Sequence, residues 1–250
     1  MLNYTSFISD LHLAPEFPER TQCFEHYITH ITPHCDALYI LGDLFNCYLG
    51  KTQFPAFYEH ILSLLIKASE TTTIYFLPGN RDYLSQWDLF QHTPIQCLPD
   101  RTVIDVYGTR TLLSHGDRFQ SYWHAYQWYR KATQYPWFSK ALLSLPQSFL
   151  WNKGRNIRAN SQHKRNQQQP SLDHMANPVI MHSLAQHNHV KRMIHGHLHV
   201  PHIIERPGFQ QIILGEWLNE PHHLLIDQHQ RTTLETVEIR ADGLKIIDHG

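Results

Sequence analysis

"DALYILGDLF", residues 36–45, is an apolar run stopped abruptly by a glycine and a carboxylate. Five consecutive apolar residues, Ala37 to Leu41, are too few for a helix and too unbroken for a half-exposed strand, so the stretch reads as a strand buried on both faces. Gly42 and Asp43 are then the loop it runs into. The pattern recurs: "YTSFISDLHL" (4–13) ends in Asp10 and His12, "TTIYFLPGNRDYL" (72–84) in Asn80 and Arg81, and "RTLLSHGD" (110–117) in His115. Helical stretches such as "PAFYEHILSLLIKASE" (55–70) separate the early strands. This alternation predicts a layered α/β sheet, in which ligands gather beyond the carboxyl ends of the strands, where these polar residues fall. After "KRMIHGHLHVP" (191–201), the runs "QQIILGEWL", "HHLLIDQ" and "TLETVEIR" predict a second, mostly antiparallel sheet. The expected core is a β-sandwich flanked by helices.

The totals agree with a globular protein. The chain has 250 residues, 42% of them apolar, enough for a substantial core, and a single domain over 1–250 is expected. A formal net charge of -1 gives no general attraction to phosphate backbones, so no nucleic-acid partner is expected. Cys23, Cys35, Cys47 and Cys97 form no CxxC pair, which predicts idle thiols in a reducing compartment. "MLNYTSFISDLHL" lacks a basic and a long apolar leader region, and no run of apolar residues is long enough to span a bilayer; a cytoplasmic location follows as an expectation.

One segment departs from this texture. From Arg118 to Leu172 there is no Asp or Glu, while Arg118, Arg130, Lys131, Lys140, Lys153, Arg155, Arg158, Lys164 and Arg165 fall there with Trp123, Trp128, Trp137 and Trp151. Residues 119–172 are predicted to be an inserted helical unit. Its aromatics either pack on one another with solvated lysines around them, or the cationic, apolar surface meets an anionic, amphipathic partner.

The polar residues after the strands suit a divalent transition metal, because carboxylate and imidazole together select against Mg²⁺ and Ca²⁺. Asp10, His12, Asp43, Asn80, His115, His197 and His199 make seven donors, enough for two ions sharing a carboxylate. Such a pair can clamp the attacking and leaving oxygens of a phosphoryl displacement. Arg81 would offer its planar fork to a phosphate, or instead pair with Asp82 or Asp117. In a chain with 21 histidines, spacing alone does not say which of His195, His197 and His199 are ligands.

"DLHL", "GDLF", "GNRD", "HGD" and "GHLH", in this order, resemble the calcineurin-like metallophosphoesterase superfamily. Within it, "ALYILGDLF", "GNRDYL", "LLSHGD", "RANS", "IHGHLHVP" and "LGEW" are similar to the UDP-2,3-diacylglucosamine hydrolase family of lipid A biosynthesis. The resemblance implies a metal-dependent hydrolase that cleaves the pyrophosphate of a UDP-diacylglucosamine lipid, with 119–172 as a helical lid. It assigns Asp10, His12, Asp43 and His199 to one Mn²⁺ and Asp43, Asn80, His115 and His197 to a second, other divalent ions being possible. His195 is left as a structural histidine. Asp43, Asn80, Arg81 and His115 are the implied catalytic group. Asn80, Arg81, His197, Trp123, Tyr126, Ser161, Asn166 and Gln169 are the implied substrate contacts. It also implies peripheral attachment to the cytoplasmic face of the inner membrane and no obligate protein partner.

Three places depart from the pattern. Trp123 stands where a carboxylate is usual, Gln169 where a cation would meet phosphate, and "NCYLGKTQ" (46–53) replaces an acidic-aromatic stretch. None is a metal-ligand position. They keep open a phosphodiesterase or pyrophosphatase acting on a soluble nucleotide, and more remotely a non-catalytic metal-binding scaffold.

Overall fold

The computed structural model describes residues 4–119, 128, 131–133, 135–146, 150, 176–218, 221–240 and 243–247, the backbone alone for 238–240 and 243–247. The expected insert therefore lies largely outside the described residues, as do the candidate contacts Trp123, Tyr126, Ser161, Asn166 and Gln169.

The elements in chain order are β1 (Tyr4–Ile8), α1 (Pro18–His30), β2 (Cys35–Ile40), α2 (Pro55–Ala68), β3 (Thr73–Phe76), β4 (Gln96–Cys97), β5 (Thr102–Val106) and β6 (Thr109–Ser114). They continue with α3 (Pro136–Leu143), α4 (Pro178–His187), β7 (Arg192–His199), β8 (His202–Arg206), β9 (Phe209–Gly215), β10 (His222–Asp227), β11 (Thr232–Arg240) and β12 (Gly243–Ile247). The four α-helices among the described residues each begin with a proline, whose fixed φ and missing N–H suit a first helical turn. Asn177 adds a side-chain cap to α4 by accepting from the amides of Val179 and Ile180.

Two sheets pack face to face, ordered β12-β11-β10-β1-β2-β3-β4 and β5-β6-β7-β9-β8. Alternation along the strands builds the layers. Phe7, Tyr39, Leu113, Ile194, Ile212 and Leu224 meet between the sheets. Their neighbours Ile8, Leu38 and Ile40 face outward onto Phe24, Tyr27, Ile61 and Leu65 of α1 and α2, while Leu112, Met193 and Ile213 pack on Met181 and Ala185 of α4. Strands covered on both sides must be apolar throughout, which is why "ALYIL" is unbroken.

The second sheet differs from expectation. β7 runs parallel to both β6 and β9, with antiparallel pairing only at the edges, through β5 and β8. "HHLLIDQ" and "TLETVEIR" form β10 and β11 and join the first sheet, β10 pairing antiparallel with β1. A parallel neighbour requires a long crossover, which the segment ending in α4 supplies between β6 and β7. None of Cys23, Cys35, Cys47 and Cys97 is in a disulfide.

Candidate metal centre

The seven donors lie just past β1, β2, β3 and β6 or within the last turns of β7, at adjacent corners of the two sheets. Five of them have left-handed backbone: Asp10 (φ 56°), His12 (51°), Asp43 (51°), His197 (71°) and His199 (63°). Each such residue costs on the order of 1 kcal/mol, so the clustering means that the surrounding contacts over-determine these loops. Those contacts are visible. Asp10 N donates to Gly42 O at 3.0 Å, His12 N to Asp43 O at 3.0 Å and Leu13 N to Leu44 O at 2.8 Å, closing the first two loops on each other. Gly196 N donates to His115 O at 3.0 Å, joining the loops of the second sheet. The β7–β9 ladder shifts register between His195 and His199, where the chain turns His197 and His199 to the site.

The donor atoms of Asp10, His12 and His199 lie within 4.8 Å of one another, as do those of Asp10, Asp43 and His115. Asn80 Oδ1 lies 2.9 Å from His115 Nε2 and 3.0 Å from His197 Nδ1. All seven expected donors thus come together. Asp10 belongs to both three-residue groups, while Asp43 faces His115 at 3.6 Å. His195 lies apart: its ring meets Gln211 Nε2 and Gly196 O at 3.0 Å and stacks edge-on against Phe119.

The surroundings fit a cation. His12 Nε2 and His199 Nε2 face each other at 3.4 Å, Asp10 Oδ1 lies 3.2 Å from His199 Nε2, and His12 Nδ1 is buried without a hydrogen-bond partner. His115 Nδ1 donates to Leu41 O at 2.9 Å, which turns Nε2 toward the acceptor oxygen of Asn80. Two acceptors so close need a proton or a metal between them. Asp10 and His199 are also held from behind. Ser9 Oγ and His197 N donate to Asp10 Oδ2 at 2.7 and 2.8 Å, and His199 Nδ1 pairs with Glu216. A carboxylate behind a ligating imidazole fixes its tautomer and raises its basicity.

The charges are tightly balanced. Burial opposes ionisation of Asp10, but His199, His115 and His12 outweigh it and hold its carboxyl well below the usual range. Burial dominates at Asp43 and raises it despite His115 and Arg81. Burial likewise lowers His12 well below its ordinary value and His197 to about 3. At His199 burial is outweighed by Asp10 and Glu216, which push it up to about 9; at His115, Asp43, Asp10 and Asp117 overcome burial in the same direction.

Arg81 meets Asp43 rather than Asp82: its Nε lies 3.3 Å from Asp43 Oδ2 and its backbone N donates to Oδ1 at 2.9 Å. Nη1 donates to Asn46 Oδ1 at 3.0 Å. Supporting residues that the sequence did not point to include Ser9, Asn46, Glu216 and Asp100, the last accepting from Ser114 Oγ at 2.7 Å and His115 N at 3.3 Å. "LGEW" was the one available signal, for Glu216.

A two-sheet core whose loops converge seven Asp, Asn and His donors defines a metallophosphoesterase. The chain belongs to the calcineurin-like phosphoesterase family, whose model matches residues 6–201, and is a metal-dependent hydrolase. Its relatives carry a more particular name. A UDP-2,3-diacylglucosamine hydrolase from Coxiella burnetii (strain Dugway 5J108-111) is 34% identical over 227 residues, covering 89% of this chain and 91% of the relative. Those of Actinobacillus succinogenes and Shewanella sp. (strain ANA-3), under the same name, are 33% and 35% identical over 86% and 89% of this chain and 92% and 93% of their own.

Proposed function

We propose that this chain hydrolyses the pyrophosphate bond of UDP-2,3-diacylglucosamine, giving 2,3-diacylglucosamine 1-phosphate and UMP. The name shared by relatives that it matches almost end to end carries the substrate. The seven convergent donors carry the chemistry. Asp10, His12, Asp43 and His199 would hold one Mn²⁺ and Asp43, Asn80, His115 and His197 a second. When bound, such ions lower the pKa of a coordinated water and neutralise phosphoryl charge.

The chain's own residues do the remainder. Water adds to one phosphorus and gives up a proton to solvent, the P–O–P bond breaks, and the departing phosphate leaves with the electron pair. Arg81, with its guanidinium held by Asp43 and Asn46, has further donors to direct at a phosphate oxygen as charge gathers there. Asn80 and His115, joined at 2.9 Å, would line the opposite side of the same phosphate, with His197 beside them. Asp43, Asn80, Arg81 and His115 form the catalytic group in this reading.

Residues 119–172 would form a helical lid whose apolar faces receive the two acyl chains, with Trp123, Tyr126, Ser161, Asn166 and Gln169 contacting substrate. In support, the described part of this segment is amphipathic. Trp128 and Trp137 are 72% and 69% exposed, and Lys131 Nζ lies 5.7 Å from the Trp128 ring. Such a surface suits the cytoplasmic face of an inner membrane, where aromatics sit at the headgroups and lysines meet anionic lipid. Among the described residues no helix is long and apolar enough to cross a membrane, so attachment would be peripheral.

The second reading is a soluble nucleotide pyrophosphate or phosphodiester as substrate, which Trp123 and Gln169 favour. Comparing kcat/KM for UDP-2,3-diacylglucosamine in mixed micelles with that for soluble UDP-sugars and a nitrophenyl phosphodiester separates the two. The lipid should be preferred by orders of magnitude; equal or better turnover of a soluble substrate rejects the lipid reading.

A further inference from the structure

Asp82 lies outside both groups of donors, and no ligand role falls to it. Its carboxylate is completely buried, yet its sequence neighbour Arg81 turns away to Asp43 and Asn46. What surrounds Asp82 is backbone. Oδ1 accepts from Gly79 N at 2.8 Å and Asp43 N at 3.3 Å, and Oδ2 from Leu44 N at 2.7 Å and Phe45 N at 3.3 Å. Three successive amides turned toward one anion make a concave nest, filled here by the chain's own side chain. Ser85 fixes Asp82 from the other side, its Oγ and N donating to Asp82 O at 2.7 and 2.9 Å.

The nest joins two loops that are remote in sequence. One carries Asp43; the other runs from Gly79 into Asn80 and Arg81. Their separation has no slack, because a Cβ added at Gly79 would lie 2.2 Å from Asp43 Oδ1. A single carboxylate oxygen holds the amide of Asp43 and the amide preceding Asn80. Asp43 and Asn80 are therefore placed relative to each other through Asp82, by bonds to backbone rather than to ligand side chains.

We propose that Asp82 is a positioning residue: by clamping these two loops it sets the affinity of the centre for its metal and the alignment of Asn80 and Arg81 with the phosphate. The inference rests on the metal-dependent reading above. Asp82→Asn keeps the shape but leaves one acceptor oxygen for four amides; Ser85→Ala loosens Asp82 without touching the nest.

Mn²⁺ titrated into the metal-free full-length protein, followed by calorimetry and by electron paramagnetic resonance of the bound ion, tests it alongside thermal melting and steady-state kinetics. Asp82→Asn should weaken Mn²⁺ binding by about 10- to 100-fold, in the range found for residues behind metal ligands, and Ser85→Ala by less. The bound-Mn²⁺ spectrum should change, and at saturating metal kcat should fall with KM nearly constant. Wild-type affinity, spectrum and kcat in both variants, with only a lower melting temperature, would overturn the proposal. If Asp82→Asn does not fold, Ser85→Ala decides alone by the same criteria. Wild-type stoichiometry separately decides between one ion and two, whereas the ratio of variant to wild-type affinity judges Asp82 at either stoichiometry. A wild-type protein that binds no Mn²⁺ sinks the metal-dependent reading itself.

Discussion

Asp43, itself buried, faces His115 and the Arg81 guanidinium and accepts the Arg81 amide. Asp43→Ala or His115→Ala should therefore abolish measurable hydrolysis while circular dichroism shows a retained fold; activity within about tenfold of wild type would contradict their place in the centre, since even partners behind ligands cost 10–100-fold. Glu216 acts from behind His199. Glu216→Gln removes one of the two carboxylates that hold the imidazole near 9, so the His199 titration followed by NMR in metal-free protein should move down. An unmoved titration would remove Glu216 from its assigned role. These residues were unequally legible in the sequence. Asp10, His12, Asp43, Asn80 and His115 stand out because a polar residue abruptly ends an apolar strand. Asp82 gave no such signal, because its carboxylate is met by backbone amides, and an amide carries no residue type.

The loops are where sequence and geometry are most closely coupled. Gly79 and Gly196 are packed against Asp43 and Asp10 so closely that a Cβ on either would lie 2.2 Å from a carboxylate oxygen. Gly79→Ala or Gly196→Ala should displace the carboxylate, weaken Mn²⁺ binding measured by calorimetry, and cost about 1–3 kcal/mol of stability by overpacking. Normal metal affinity in either variant would show that the loops yield. The early strands were readable from their apolar runs, and a helix between them from the stretch that forms α2. Sheet membership was not. β10 and β7 both carry an apolar pair among histidines, and only the crossovers and the free edge beside β1 decide that β10 joins the first sheet while β7 lies parallel between β6 and β9. Neither feature is written in a strand's own residues.

At the scale of the whole molecule, the buried centre links stability to pH. His199 has a raised folded pKa, so in metal-free protein its contribution is fully present below about 6.5 and is lost as pH rises through about 9. His195 and His197 are lowered to about 4 and about 3 by burial, so theirs is present above about 6.5 and is lost as pH falls toward those values. The melting temperature of metal-free protein should pass through a maximum near neutrality. A monotonic rise to pH 10 would contradict the balance described. Metal binding must expel the His199 proton, so Mn²⁺ affinity should fall with pH below about 9, with proton release visible as buffer-dependent binding heats. Hydrolysis itself is tested most directly by running it in oxygen-18 water on UDP-2,3-diacylglucosamine and weighing both products by mass spectrometry. One labelled oxygen in either UMP or the lipid phosphate, formed with Mn²⁺ and absent after chelation, is the expected result; unlabelled products, or equal turnover by chelated protein, would contradict metal-dependent attack of water on the pyrophosphate.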